Sequence, residues 1–299
     1  MGSIKSWVSA FRLRTLPLSV SLILMGSALA YQRALFSWSI FTLALSTTLL
    51  LQILSNLAND YGDAVSGADT NGKRIGPQRA VQSGAITKHQ MNKAIVIFSS
   101  LSLISGLLLL FVAYPRIGTC GLIILLTIGI LSIIAAITYT MGKHPYGYVG
   151  LGDLSCFIFF GLVGVSGCEA LYEGGLWIPS LLPASSVGLL SVAVLNMNNM
   201  RDYESDKSSG KISMVVKIGL TRASVYQIVL IIVSFSALIA YIALFGRVMQ
   251  YLSLLTIPIF AYNAFFVMSH SHKELDSQLP VVSLGTMLLV LLFVIGCLL

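Results

Sequence analysis

Apolar residues run through this chain in blocks of about twenty, separated by polar breaks. Nine blocks can be drawn, at 16–34, 37–58, 93–113, 117–138, 151–171, 176–199, 223–245, 248–268 and 280–298. Each is long enough, as a helix, to cross the roughly 30 Å hydrocarbon core of a bilayer. The breaks are unequal. Those at 59–92 and 200–222 are long, whereas those near 35, 115, 174 and 246 are a few residues. Ahead of the first block, Ile4, Trp7, Val8 and Phe11 fall at i, i+3, i+4 and i+7, with Lys5 and Arg12 off that stripe. The spacing predicts a short interfacial helix over about 3–14. Lys5, Arg12 and Arg14 before an apolar run ending in Ala28-Leu29-Ala30 also fit a cleavable leader. A retained first span is the expectation.

Composition supports the pattern. The 299 residues are 56% hydrophobic and 10% charged, with mean hydropathy +0.89. Soluble domains carry about 25% charged residues. The fold class expected is an all-α polytopic membrane protein, one membrane-embedded domain over 1–299. Cys120, Cys156, Cys168 and Cys297 lie in or near apolar blocks and form no CxxC pair, so they read as small buried residues. If the N-terminus is cytoplasmic, only Arg33, Arg116 and Arg247 of the 18 Lys and Arg fall outside. That asymmetry predicts an odd number of spans with the C-terminus opposite. The net charge of +7 then reflects topology and attraction to anionic lipid, with no nucleic-acid partner.

The candidate chemistry sits at the ends of the second and sixth blocks. The first stretch reads Asn56-Leu-Ala-Asn59-Asp60-Tyr-Gly-Asp63, followed by Asp69. The second reads Asn198-Asn199-Met-Arg201-Asp202-Tyr203-Glu204-Ser-Asp206. Of only 11 acidic residues, these stretches hold six. The two ends lie on one membrane side, four helices apart, as a parallel internal repeat would place them. Residues three or four apart share a helix face. Asn56, Asp60 and Asp63 therefore point one way, and Asn198, Asp202 and Asp206 form a second column. Facing columns would gather carboxylates that repel by about 4 kcal/mol per pair at ~4 Å and an effective dielectric near 20. A cation is needed. Scattered histidines argue against zinc. Carboxylate and amide oxygens suit Mg²⁺ or Ca²⁺, and Mg²⁺ commonly takes one or two carboxylates and completes its shell with water and phosphate. Arg74, Arg79, Lys143, Arg201 and Lys211 lie in or near the same breaks and are candidates for phosphate oxygens. Each also reads as an ordinary inner-side basic residue. Asp69 and Glu204 also read as solvated loop or cap residues.

These strings resemble the UbiA superfamily of intramembrane aromatic prenyltransferases. Arg14-Thr15-Leu16-Pro17 is similar to that family's N-terminal segment. Ser55–Asp63, Arg74-Ile-Gly-Pro-Gln-Arg79, Tyr139-Thr140 and Gly147-Tyr-Val-Gly-Leu-Gly-Asp153 resemble its 1,4-dihydroxy-2-naphthoate polyprenyltransferase branch, from about residue 8 to the last span. Two places depart from the family pattern: the carboxylate after Asp63 is Asp69, with Gly67 at the usual spacing, and 142–145 reads Gly-Lys-His-Pro. The resemblance implies a bacterial inner-membrane enzyme of menaquinone biosynthesis. It implies Mg²⁺, a polyprenyl diphosphate and an aromatic acceptor as partners, with loss of diphosphate and CO₂. Asp60 and Asp63 would hold one ion and Asp202 and Asp206 another, with Asn56 and Asn198 in that shell. Arg201, Lys211, Arg74, Arg79 and Lys143 would face the diphosphate, and Tyr139 would line the aromatic site or stabilise a cation through its ring. Asn59, Asp69 and Asp153 are secondary candidates. Asp153 reads equally as a helix-start residue. Gly161, Gly164 and Gly167 read first as helix packing and second as room for an isoprenoid tail.

Two other classes fit parts of this pattern. A cation transporter would place its carboxylates near the midplane on broken helices, whereas these lie at span ends. A CDP-alcohol phosphotransferase needs Asp-Gly where this chain has Asp63-Ala64. Within the resembled superfamily, 4-hydroxybenzoate, homogentisate, chlorophyllide or haem remain alternative acceptors.

Overall fold

The computed structural model describes residues 3–66 and 79–299, and every regular element among them is helical. Asp69 and Arg74 lie outside the described residues. The interfacial helix forms over Ile4–Phe11, with Ser3 capping it through the Ser6 N–H at 3.2 Å. Its Ile4 side chain is 85% exposed, which suits a face laid on lipid. Arg12 then turns the chain at φ 51, ψ 60, and a 3₁₀ turn over Leu13–Thr15 leads into the first span, Leu16–Gln32.

Among the described residues, eight helices are long and apolar enough to cross a membrane. One of them, Lys88–Thr138, has 51 residues. At 1.5 Å per residue that is about 76 Å of helix, more than two bilayer cores. Its backbone leaves helical geometry at Gly118 (φ 62, ψ −174), three residues after Pro115. Proline lacks the amide hydrogen that the helix needs, and glycine accepts the positive φ of the turn. Divided there, the helix supplies the third and fourth spans, and the nine expected crossings are recovered. The second span is Trp38–Ser66, and the fifth to ninth are Gly152–Glu173, Ile178–Arg201, Leu220–Phe245, Val248–Ser269 and His272–Leu298. Many of their outward faces are apolar, such as Leu108, Phe111 and Ile123 on the long helix. The protein is integral to the membrane.

Two boundaries differ from expectation in ways that matter for the site. The second span, expected to stop at 58, stays helical to Ser66, so all of Asn56–Asp63 is helical. The sixth span ends at Arg201, and Asp202 breaks it (φ −91, ψ 10) before a short helix, Tyr203–Ser208. The second column is therefore a bent one.

The spans are held by close backbone contact and by end clamps. Gly161 of the fifth span and Gly188 of the sixth approach so closely that a Cβ on Gly161 would lie 2.7 Å from the Ala184 carbonyl oxygen and 3.0 Å from Gly188 Cα. Small residues allow this where lipid gives no hydrophobic drive between helices. At the end of the bundle away from the motifs, Arg33 ion-pairs with buried Glu169 at 2.6 Å and with Glu173, and lies 4.7 Å over the Trp177 ring.

Candidate active site at the motif end of the bundle

A cavity of about 420 Å³ opens at the end of the bundle where both motifs lie. Its polar end is lined by Asn56, Asn59, Asp63, Arg79, Thr140, Asn198 and Lys211. It continues between the second, third, fourth and fifth spans past Leu51, Leu107, Leu110, Ile130 and Phe160. A second cavity of about 350 Å³ lies behind it and shares Arg12, Arg14, Arg79 and Asn198, with Asp60 and Arg201 on its own walls.

The first motif divides between these spaces. Asp63 faces the large cavity. Its Oδ1 accepts a short hydrogen bond from the Tyr148 hydroxyl, and its Oδ2 is ion-paired with Arg79. Arg79 also donates to the Asn59 carbonyl oxygen. Asn59 presents its side-chain oxygen to Thr140 Oγ1 at 3.2 Å, and Thr140 also donates to the Ala58 carbonyl at 3.0 Å. This contact depends on Gly62, where a Cβ would stand 2.5 Å from the Thr140 carbonyl oxygen. Asp60 points elsewhere. Its two carboxylate oxygens accept the backbone N–H groups of Ala80 (3.0 Å) and Val81 (3.1 Å). Asn56 donates to the Phe11 carbonyl (2.9 Å) and Thr15 Oγ1 (3.1 Å), and so ties the second span to the N-terminal segment. The structure thus pairs Asn59 with Asp63 at the polar end of the large cavity, while Asp60 anchors a turn. Asn56, Asp60 and Asp63 fall within about 60° of one another around the helix, yet only Asn56 and Asp63 line the large cavity, while Asp60 lines the second and is taken up by the Ala80 and Val81 N–H groups.

The second motif is knit by Arg201, which is 2% exposed. Its guanidinium donates to both oxygens of Asp202 (2.8 and 2.7 Å), to Asn198 Oδ1 (2.7 Å) and to Asp276 Oδ1 (2.5 Å). Arg201, expected to face a diphosphate, has its donors turned to three acidic or amide partners and lines the second cavity rather than the large one. Asp202, its bidentate partner, lines neither cavity. Asp206 is buried and pairs with Lys211, whose Nζ lies 3.1 Å from each oxygen. Glu204 is exposed.

Of the remaining candidates, Tyr139 lines the large cavity, with its ring edge-on to Tyr146 at 5.3 Å between centroids. Lys143 is exposed on the turn made by Gly142 (φ 108) and lines neither cavity. Asp153 sits in the first turn of the fifth span, buried beside Tyr226, with Oδ2 lacking a hydrogen-bond partner. It also stands off both cavities. Three residues escaped the sequence reading: Tyr148, Thr140 and Asp276. Tyr148 and Thr140 lie inside strings quoted above, but nothing in their spacing says what they touch. Asp276 carried a fainter signal, as one of the few acids outside the two motifs on the same side of the predicted topology.

At this end Asp63 is paired with Arg79 and Asp206 with Lys211. Burial pushes the Asp206 carboxyl above the ordinary range; Lys211 opposes this, but Asp202 and Asp63 add to it. Burial works against the Lys211 charge, yet Asp206, Asp63 and Asp202 together hold it above the usual lysine value. Asp206 Oδ2 has the Lys211 ammonium at 3.1 Å, outside hydrogen-bond geometry. Among the described residues no three His, Cys, Asp or Glu side chains form a ready-made metal cage. Carboxylate and amide oxygens are hard donors that fit Mg²⁺, whose shell is commonly finished by phosphate and water. Asp63, with the Asn56, Asn59 and Asn198 amides, lines the polar end of the large cavity, and Asp206, which lines neither cavity, is tied to that end through its pair with Lys211.

Comparison with known proteins gives a consistent picture. A model of the UbiA prenyltransferase family matches residues 19–298. The chain is 43% identical over 300 residues to the 1,4-dihydroxy-2-naphthoate octaprenyltransferase of Escherichia coli (strain K12), covering 98% of this chain and 94% of that one. It is 40% identical over 299 residues to the protein of the same name from Haemophilus influenzae, covering 99% and 96%. Among solved structures, a UbiA homolog from Aeropyrum pernix K1 superposes with a TM-score of 0.68 at 18% identity, over 92% of this chain and 97% of that one. A UbiA homolog from Archaeoglobus fulgidus bound to DMAPP and Mg²⁺ gives a TM-score of 0.61 at 16% identity, over 94% and 98%.

Proposed function

The chain belongs to the UbiA prenyltransferase family, and from that premise we propose that it transfers a polyprenyl group from polyprenyl diphosphate to 1,4-dihydroxy-2-naphthoate. The observation that carries this reading is the two-part cavity. Its charged end is built from both motifs, and its apolar length runs between the spans. That shape matches an isoprenoid with a diphosphate head. The acceptor assignment is supported by relatives of that name at 40–43% identity over nearly the whole chain.

In the proposed reaction the C1–O bond of the prenyl diphosphate breaks, and its electron pair leaves with the diphosphate. The ring carbon that bears the carboxylate supplies the pair for the new C–C bond. The ring carboxylate departs as CO₂, and the pair of the broken C–C bond restores the aromatic ring, giving demethylmenaquinol. Mg²⁺ held by Asp63 and Asp206 would neutralise charge on the leaving group. Lys211 and Arg79 add fixed positive charge at that end. Tyr139 offers a π-face to the allylic cation. The apolar walls keep water from it. Asp60 and the Arg201–Asp202–Asp276 cluster position these groups without lining the large cavity. The site is placed on the cytoplasmic face of a bacterial inner membrane, with the C-terminus opposite, on the strength of the Lys and Arg asymmetry.

The test is direct. Purified protein in lipid is given Mg²⁺, a polyprenyl diphosphate and 1,4-dihydroxy-2-naphthoate, and the product is weighed by mass spectrometry. A prenylated product lighter by CO₂ is expected. Prenylation of 4-hydroxybenzoate alone would overturn the acceptor assignment.

A further inference from the structure

Tyr148 joins parts of the molecule that the two motifs leave separate. Its hydroxyl donates to Asp63 Oδ1 and lies 3.0 Å from Ser66 Oγ, both on the second span. Its carbonyl oxygen accepts the Ile212 N–H at 2.9 Å, in the segment that follows the second motif. Its ring lies 5.9 Å from Lys211 Nζ, the partner of Asp206. The next residue, Val149, accepts from Lys217 Nζ at 2.9 Å. Gly150 makes that contact possible: its φ is +84°, and a Cβ there would stand 2.3 Å from Lys217 Nζ. The short 3₁₀ turn Tyr146–Tyr148 is thus stitched by backbone to one motif and by a side chain to the other.

Resting on the metal reading above, we propose that Tyr148 is a positioning residue that fixes Asp63 and the Asp206–Lys211 pair in one frame for a divalent cation. The phenol occupies one oxygen of Asp63, and Arg79 holds the other. The carboxylate can then keep one orientation toward the cavity it lines. A partner that orients a metal-ligating carboxylate acts through that ligand, and its loss commonly lowers metal affinity about 10–100-fold.

The test uses the full-length protein in lipid nanodiscs, as wild type and as Tyr148→Phe, which keeps the ring and its packing. Mn²⁺ binding is followed by electron paramagnetic resonance in the presence of a non-hydrolysable geranyl thiolodiphosphate. Tyr148→Phe is expected to weaken Mn²⁺ by about 10–100-fold and to raise the Mg²⁺ needed for half-maximal turnover in parallel. The KM for the aromatic acceptor and the metal-free thermal midpoint should stay near wild type. A second variant, Lys217→Met, loosens the loop from outside without touching Asp63, and should weaken Mn²⁺ by up to about tenfold. Unchanged or tighter Mn²⁺ binding in both variants would overturn the proposal. So would a loss of turnover with metal affinity intact. Wild-type protein that binds no Mn²⁺ would instead remove the metal reading on which the proposal rests, and Tyr148 with it.

Discussion

At the scale of single residues, the carboxylates that look alike in sequence have separate tasks. Asp63 faces the cavity, whereas Asp60, three residues earlier, receives two backbone N–H groups from Ala80 and Val81. Asp63→Asn should therefore lower kcat/KM by about a hundredfold or more while leaving the thermal midpoint almost unchanged. Asp60→Leu should act first on stability, by roughly 1–3 kcal/mol for two stranded backbone donors, read as a lower midpoint in detergent. Arg201→Met is a sharper case. It would strand buried Asp202, and losing one partner of a buried pair typically destabilises by about 3–5 kcal/mol. The same measurement checks it. The sequence exposed these residues as a group, because a repeat of scarce acids in an oily chain is conspicuous. It did not sort them, because sorting depends on which turn of helix faces the cavity and on partners such as Tyr148 and Asp276, 85 and 74 residues from Asp63 and Asp202.

At the scale of elements, the nine spans were legible because each must present about twenty apolar residues to lipid. The break at Gly118 was also legible, as a short link near 115 with proline and glycine. Three features were not. The helix continues to Ser66 through acidic residues. Asp202 breaks the sixth span. Phe157–Gly167 is wound as a π-helix. Each is settled by packing and hydrogen bonding that hydropathy does not report. Of the two readings of the fifth-span glycines, helix packing fits Gly161, which meets Gly188. Gly164 and Gly167 line the large cavity, where the second reading placed an isoprenoid tail. Gly188→Val should therefore overpack the crossing and cost about 1–3 kcal/mol, seen as a lower thermal midpoint. A substitution at Gly167, where the nearest neighbour of a Cβ would be Val163 Cγ1 at 3.9 Å, should leave the midpoint unaffected.

At the scale of the whole molecule, a membrane bundle carries a polar pole at one end of an apolar cavity. The family membership, the relatives' names and this cavity converge on prenyl transfer to a naphthoate. Two claims remain as predictions at this scale. Cysteine labelling from outside sealed cells should reach an added C-terminal cysteine and not one placed near residue 208, as the arrangement of Lys and Arg requires. Metal dependence joins the site to the reaction. The measurement that bears most directly on the account is the product of purified protein given a polyprenyl diphosphate and an acceptor panel, with and without EDTA. The account predicts a prenylated, decarboxylated product from 1,4-dihydroxy-2-naphthoate that forms with Mg²⁺ and stops when EDTA is added. Full turnover in EDTA would contradict the metal site, and turnover only with 4-hydroxybenzoate would contradict the acceptor.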